Sequence, residues 1–189
     1  APQGEEFGPK TKYAEAIKVL QEVLADLPKG TTISIWAFGQ ATGPAKATND
    51  AESTIARIVA PMPWDPANAD ELVAKVKYPA LEPWNESPVL RSMFEAKKDF
   101  PAAAGYKTMV VLTDGADNRF ANDKVINPDK KPLPDVLRNE FRNSGITVHV
   151  VGFRLPEAEE AEVRKQFETV TTLDPPGTFT PAADAEQLA

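Results

Sequence analysis

Asp114 closes the run Val110-Val111-Leu112-Thr113 and is followed by Gly115-Ala116-Asp117-Asn118. A carboxylate at the tip of a buried strand, with glycine next to it, stands at the edge where α/β sheets bind ligands. Its oxygens suit a hard cation such as Mg²⁺. Asp-Gly and Asp-x-x-Asn are equally ordinary turn chemistry, so these residues carry a ligand reading and a turn reading side by side. Further back, Asn85-Glu86-Ser87-Pro88-Val89 puts a hydroxyl directly before a proline. That is the pattern of a helix N-cap with proline at the first helical position. One hydroxyl both caps a helix and faces a cation without conflict.

Other chemistries lack parts. The absence of cysteine removes disulfides, thiolate nucleophiles, iron–sulfur clusters and zinc fingers. The single histidine, His149, leaves no multi-histidine metal site, and a Ser-His-Asp triad would depend on it entirely. It alternates with Val148 and Val150 in a strand-like run, where a packed histidine is expected. There is no glycine-rich phosphate loop. The chain is expected not to be an enzyme.

The elements that must position Asp114 and Ser87 are legible in the periodicity. The 189 residues suit one ordinary domain with a sizeable core. Tyr13, Ile17, Leu20, Leu24 and Leu27 form one apolar stripe of a helix ended by Pro28-Lys29-Gly30. Thr31–Gly39 reads as a strand buried from both sides, and Thr54–Val59 as a shorter edge strand. A proline-rich stretch over 61–86 surrounds a short helix near Asp70–Lys77, with Trp64 and Trp84 as loop core or partner anchors. A helix from Pro88 to about Phe100 follows, then the strongest strand, Tyr106–Thr113. After a polar loop that includes Asp129-Lys130-Lys131, the pattern predicts a helix over Pro134–Ser144 with Gly145 as its left-handed cap. A buried strand over Ile146–Phe153, a helix over Pro156–Val170 and a short strand over Gly177–Thr180 complete the series, with a further helix starting at 184–188. Alternation of this kind calls for a mostly parallel sheet with helices on both faces.

Charge and hydropathy exclude two partner classes. Lys and Arg number 21 against 28 Asp and Glu, a formal net charge of −7. An acidic surface without basic clusters offers nucleic acid nothing to hold. No apolar run approaches the roughly 18–20 residues of a membrane span, and the first residues carry no basic or apolar leader pattern.

The strand ending Leu112-Thr113-Asp114-Gly115-Ala116-Asp117-Asn118 resembles the von Willebrand factor type A (vWA) domain of bacterial type. The order of elements strengthens the likeness: an amphipathic helix, a strand ending in Phe38-Gly39, an edge strand, and a strand ending Val151-Gly152-Phe153. The tail Gly177-Thr178-Phe179-Thr180-Pro181-Ala182-Ala183-Asp184 is similar to the family's last strand and the start of its last helix. The resemblance covers nearly the whole chain and implies a Rossmann-like doubly wound sheet. Metal-binding members hold Mg²⁺ or Mn²⁺ at an adhesion site drawn from three loops. By that likeness Asp114 matches the third-loop Asp and Ser87 the second-loop Thr or Ser. Asn85, Glu86, Gly115, Asp117 and Asn118 fall on the surrounding rim expected to touch a protein partner.

The sequence departs from the family in its first loop. No Asp-x-Ser-x-Ser occurs. Ala1–Lys10 is similar to the loop that follows that motif, and the chain stops where the last helix would begin. A fragment cropped at both ends is therefore expected, the alternative being a natural variant that lost the family's first, central strand, which would leave a gap beside Tyr106–Thr113. The resemblance implies a protein-binding or adhesion module, with a lean to the cell envelope or exterior, where such bacterial proteins often act. A metal-independent scaffold domain is the alternative. A Mg²⁺-dependent phosphohydrolase of the haloacid dehalogenase kind is a third, disfavoured because Gly115 and Ala116 follow Asp114 and Asp117 comes one residue too late.

Overall fold

The computed structural model describes residues 12–41, 54–77, 80–83 and 87–182. Two units result, one holding the described residues up to 83 and the other those from 87 to 182. The expected helix at 184–188 and the segment Ala1–Lys10 lie outside the described residues, as does Trp84.

In the first unit the apolar stripe forms helix α1 (Lys12–Asp26). It joins helix α2 (Ala69–Val76) on a core of Ile17, Leu24, Val59, Trp64, Leu72, Val73 and Val76. The Tyr13 hydroxyl donates to the Val76 carbonyl, and burial pushes its phenol up to about 12. Strand β1 (Thr32–Phe38) pairs antiparallel with β3 (Ile55–Pro63). A two-residue pair, β2 (Gln40–Ala41) with β4 (Glu82–Pro83), stands beside them in sequence.

β3 runs four residues beyond the expected Val59, through two prolines. Pro61 falls at the register shift between Ile33 and Ile35, and Pro63 is the strand's last residue. Bulges and strand ends are where a residue without an N–H costs no ladder bond. Trp64 then donates its amide to Thr31 at 2.7 Å and is only 1% exposed, so it is loop core.

The second unit is built on three parallel strands in the order β5 (Lys107–Thr113), β6 (Ile146–Phe153), β7 (Thr178–Ala182). Helices α3 (Val89–Lys97), α4 (Leu133–Phe141) and α5 (Glu157–Phe167) accompany them. Leu90, Met93, Leu137, Phe141, Val163 and Phe167 are buried with Met109, Val111, Ile146, Val148 and Val150. Burial alternates along β5 and β6: Val110 is 48% exposed, and Thr147, His149 and Val151 are half-buried. The period-two backbone puts half of each run on a face that is only partly covered, and β1, expected to be buried from both sides, is half-buried from Ile33 to Phe38. His149 is half-buried, with Nδ1 2.9 Å from the Thr178 hydroxyl on β7.

Among the described residues β5 has a strand neighbour on one side alone. Helix α4 ends at Phe141, three residues before the expected Ser144. Arg142 leaves the helical region, and Asn143 (φ 63°) and Gly145 (φ 68°) turn the chain into β6. α3 stops at Lys97 and α5 at Phe167, the latter passing into a 3₁₀ turn over Glu168–Thr172. No described helix is long and apolar enough to cross a membrane.

Candidate functional site

Thr113 is the last buried residue of β5 and begins the turn that presents Asp114. Its hydroxyl donates to the Gly115 carbonyl at 2.8 Å, which bends the chain at once. Asp114 lies exposed at the carboxyl end of the strand. Gly115 is half-buried beneath the Glu159 side chain of α5: a Cβ at this position would stand 3.4 Å from the Glu159 carboxylate.

Asp117 is 6% exposed, and both of its oxygens are engaged. Oδ1 accepts the amides of Arg119 at 2.9 Å and Phe120 at 2.8 Å, closing a local turn. Oδ2 accepts the Leu90 amide at 2.8 Å, in the first turn of α3. Burial raises the Asp117 carboxyl above the ordinary carboxylate value, the three amides act the other way, and the Asp123 charge adds to the rise. The Asp117 amide donates to Gln166 Oε1 at 2.8 Å, and Gln166 Nε2 donates back to the Asp117 carbonyl at 3.4 Å. Asn118 is exposed, and its Oδ1 accepts the Ser87 amide at 2.9 Å.

The expected cap at Ser87 is corrected here. α3 begins at Val89, Pro88 occupies the N-cap position, and no side chain of that position caps the helix. A proline at the N-cap moves Ser87 one residue too far out to reach the first-turn amides. Asp117 supplies the acceptor from 27 residues away.

The loop before α3 and the loop after β5 are therefore joined by two side chains in sequence, Asp117 and Asn118. The polar loop beyond is tied to the same helix. Arg91, with a side chain 9% exposed, sets Nη1 3.4 Å from Asp123 Oδ1 and Nε 3.6 Å from Glu95 Oε1. Asp123 Oδ1 also accepts the amides of Val125 and Ile126. Asn85 and Glu86 lie outside the described residues. Glu159 and Gln166 gave no signal in the sequence, being two more polar positions of a charged helix.

The donor set tests the fit to a cation. Carboxylate and hydroxyl oxygens are the right chemistry for Mg²⁺ or Mn²⁺, and Asp114 and Ser87 supply one of each. Asp117 is consumed by backbone amides. Among the described residues no group of three or more His, Asp or Glu gathers as a metal cage. Two such donors are fewer than the roughly six oxygens a Mg²⁺ ion takes.

No family model and no curated protein matches this sequence. Solved structures do. The chain is similar to a von Willebrand factor type A protein from Catenulispora acidiphila, with a TM-score of 0.59 over 99% of this chain at 18% identity. It is also similar to the pilus adhesin SpaC from Lactobacillus rhamnosus GG, with a TM-score of 0.63 over 97% of this chain at 13% identity. The chain spans 38% of the first of those chains and 27% of the second. At such identities the likeness is one of fold, and the fold is vWA-like: mixed α/β and Rossmann-type, with a parallel sheet.

Proposed function

We propose that this chain is a non-catalytic, protein-binding module of vWA type, whose contact edge is the pair of loops around Ser87 and Asp114. A carboxylate of the partner completes the coordination of a Mg²⁺ or Mn²⁺ ion, which explains how an acidic domain grips an acidic group. Asp114 and Ser87 are the donors this chain offers, and the remaining ligands come from outside the described residues. Gly115, Asp117 and Asn118 shape the rim, with Asn85 and Glu86 beside Ser87 in sequence. The observation that carries the reading is the 2.9 Å bond from the Ser87 amide to Asn118, which ties the hydroxyl-bearing loop to the loop that presents Asp114.

Thermal unfolding in EDTA, Mg²⁺ and Mn²⁺ tests it. A cation at a hundredfold excess over its dissociation constant adds about 2.7 kcal/mol, a rise in Tm on the order of 5–10 °C for a chain of this size. Asp114→Ala and Ser87→Ala should remove the rise. If Tm is the same in all three solutions, the second reading holds, a metal-independent scaffold domain that binds by surface shape. The engaged oxygens of Asp117 favour that second reading.

A further inference from the structure

Asp117 has both oxygens committed inside the protein, yet its turn needs only one of them. The amides of Arg119 and Phe120 close the local turn through Oδ1. The other two links reach across the chain: Oδ2 to the Leu90 amide, 27 residues away, and the main chain of Asp117 to the Gln166 carboxamide, 49 residues away. Neither long link improves the turn. What they do is set three elements against one another: the first turn of α3, the loop after β5, and α5.

We propose that Asp117 and Gln166 are positioning residues, which hold the Asp114 loop in fixed relation to the start of α3 and so fix Ser87 relative to Asp114. The inference rests on the reading of these two loops as the binding edge, but its geometry is independent of any cation. The start of α3 has no cap of its own, because Pro88 occupies that place. Its first-turn amides need an acceptor once buried, and Leu90 is fully buried. A carboxylate is the favoured acceptor at a helix N-terminus. Gln166 grips both the N–H and the C=O of Asp117, so the peptide that carries the carboxylate is held from α5 as a strand neighbour would hold it.

The test is amide hydrogen exchange by NMR in EDTA, on the wild-type chain and the variants Gln166→Ala and Asp117→Asn. Gln166 makes no hydrogen bond to Ser87 or Leu90. A positioning role predicts that Gln166→Ala nonetheless speeds exchange at both of those amides by tenfold or more, with Val148, Val150 and Leu137 unchanged. Asp117→Asn should do the same, since one carboxamide oxygen cannot serve both Leu90 and the turn. Exchange that rises only at Asp117 in the Gln166 variant, or that rises evenly across the unit, overturns the proposal. Should Asp117→Asn fail to fold, Gln166→Ala still decides. Mn²⁺ titration of the same proteins separates the two readings: no Mn²⁺ binding by the wild type sinks the cation, while the exchange result stands on its own.

Discussion

Asn118 accepts the Ser87 amide through its side-chain oxygen at 2.9 Å, a contact between residues 31 apart in sequence. The bond is exposed, so its worth lies in alignment more than in stability. Asn118→Ala should cost only about 0.5–1.5 kcal/mol, read as a small drop in urea midpoint. Asn118→Asp keeps an acceptor and adds a charge suited to a helix start, so it should recover the loss. Equal losses in both variants would show that the acceptor is not what matters.

Asp117 makes stability depend on pH with a definite sign. Its carboxyl is raised in the folded state, chiefly by burial, so the folded chain keeps this proton to higher pH than the unfolded chain. The contribution is fully present below the ordinary carboxylate value and is lost as pH rises through the folded one. Wild-type unfolding free energy should therefore fall more steeply with pH than that of Asp117→Asn, from about pH 4 upward. Urea titrations at stepped pH give both slopes, and parallel slopes would contradict the prediction.

Gly177 is required by a close approach. A Cβ there would lie 1.7 Å from the Val148 carbonyl oxygen and 2.6 Å from its carbon, both main-chain atoms of β6. Backbone in a central strand does not give way as a side chain does. Gly177→Ala should cost about 1–3 kcal/mol or more, measured as a fall in Tm, and a variant as stable as wild type would refute the packing.

Arg91 tests the tie between α3 and the polar loop. Its side chain is 9% exposed and that of Asp123 is 7% exposed. Removing one partner of a buried pair typically costs about 3–5 kcal/mol, so Arg91→Ala should be among the most damaging changes in this unit. Combining it with Asp123→Asn should cost less than the sum of the two single changes. Strict additivity in the double-mutant cycle would mean that the pair contributes nothing as a pair.

Much of the architecture is written locally. The four-three spacing from Tyr13 to Leu27 specifies α1, because only a helix brings those side chains to one face. The apolar run from Met109 to Leu112 specifies a strand, and Thr-Asp-Gly specifies the turn that ends it. The vWA-like fold followed from the order of such elements, since alternating helices and strands leave few ways to cover a parallel sheet.

Other features belong to tertiary structure alone. Ser87-Pro88 has the residues of a cap, yet the amide of Leu90 is served by Asp117, because where the helix starts depends on which acceptor lies within reach. Glu159 and Gln166 are indistinguishable in sequence from their charged neighbours on α5; only the packing of that helix brings one over Gly115 and the other onto Asp117. The extent of β3 through Pro61 needed the register shift at that point, with Pro63 closing the strand. Periodicity fixes which face of an element a residue occupies, whereas hydrogen bonds between residues tens of positions apart depend on how the elements dock, and no local pattern encodes that distance.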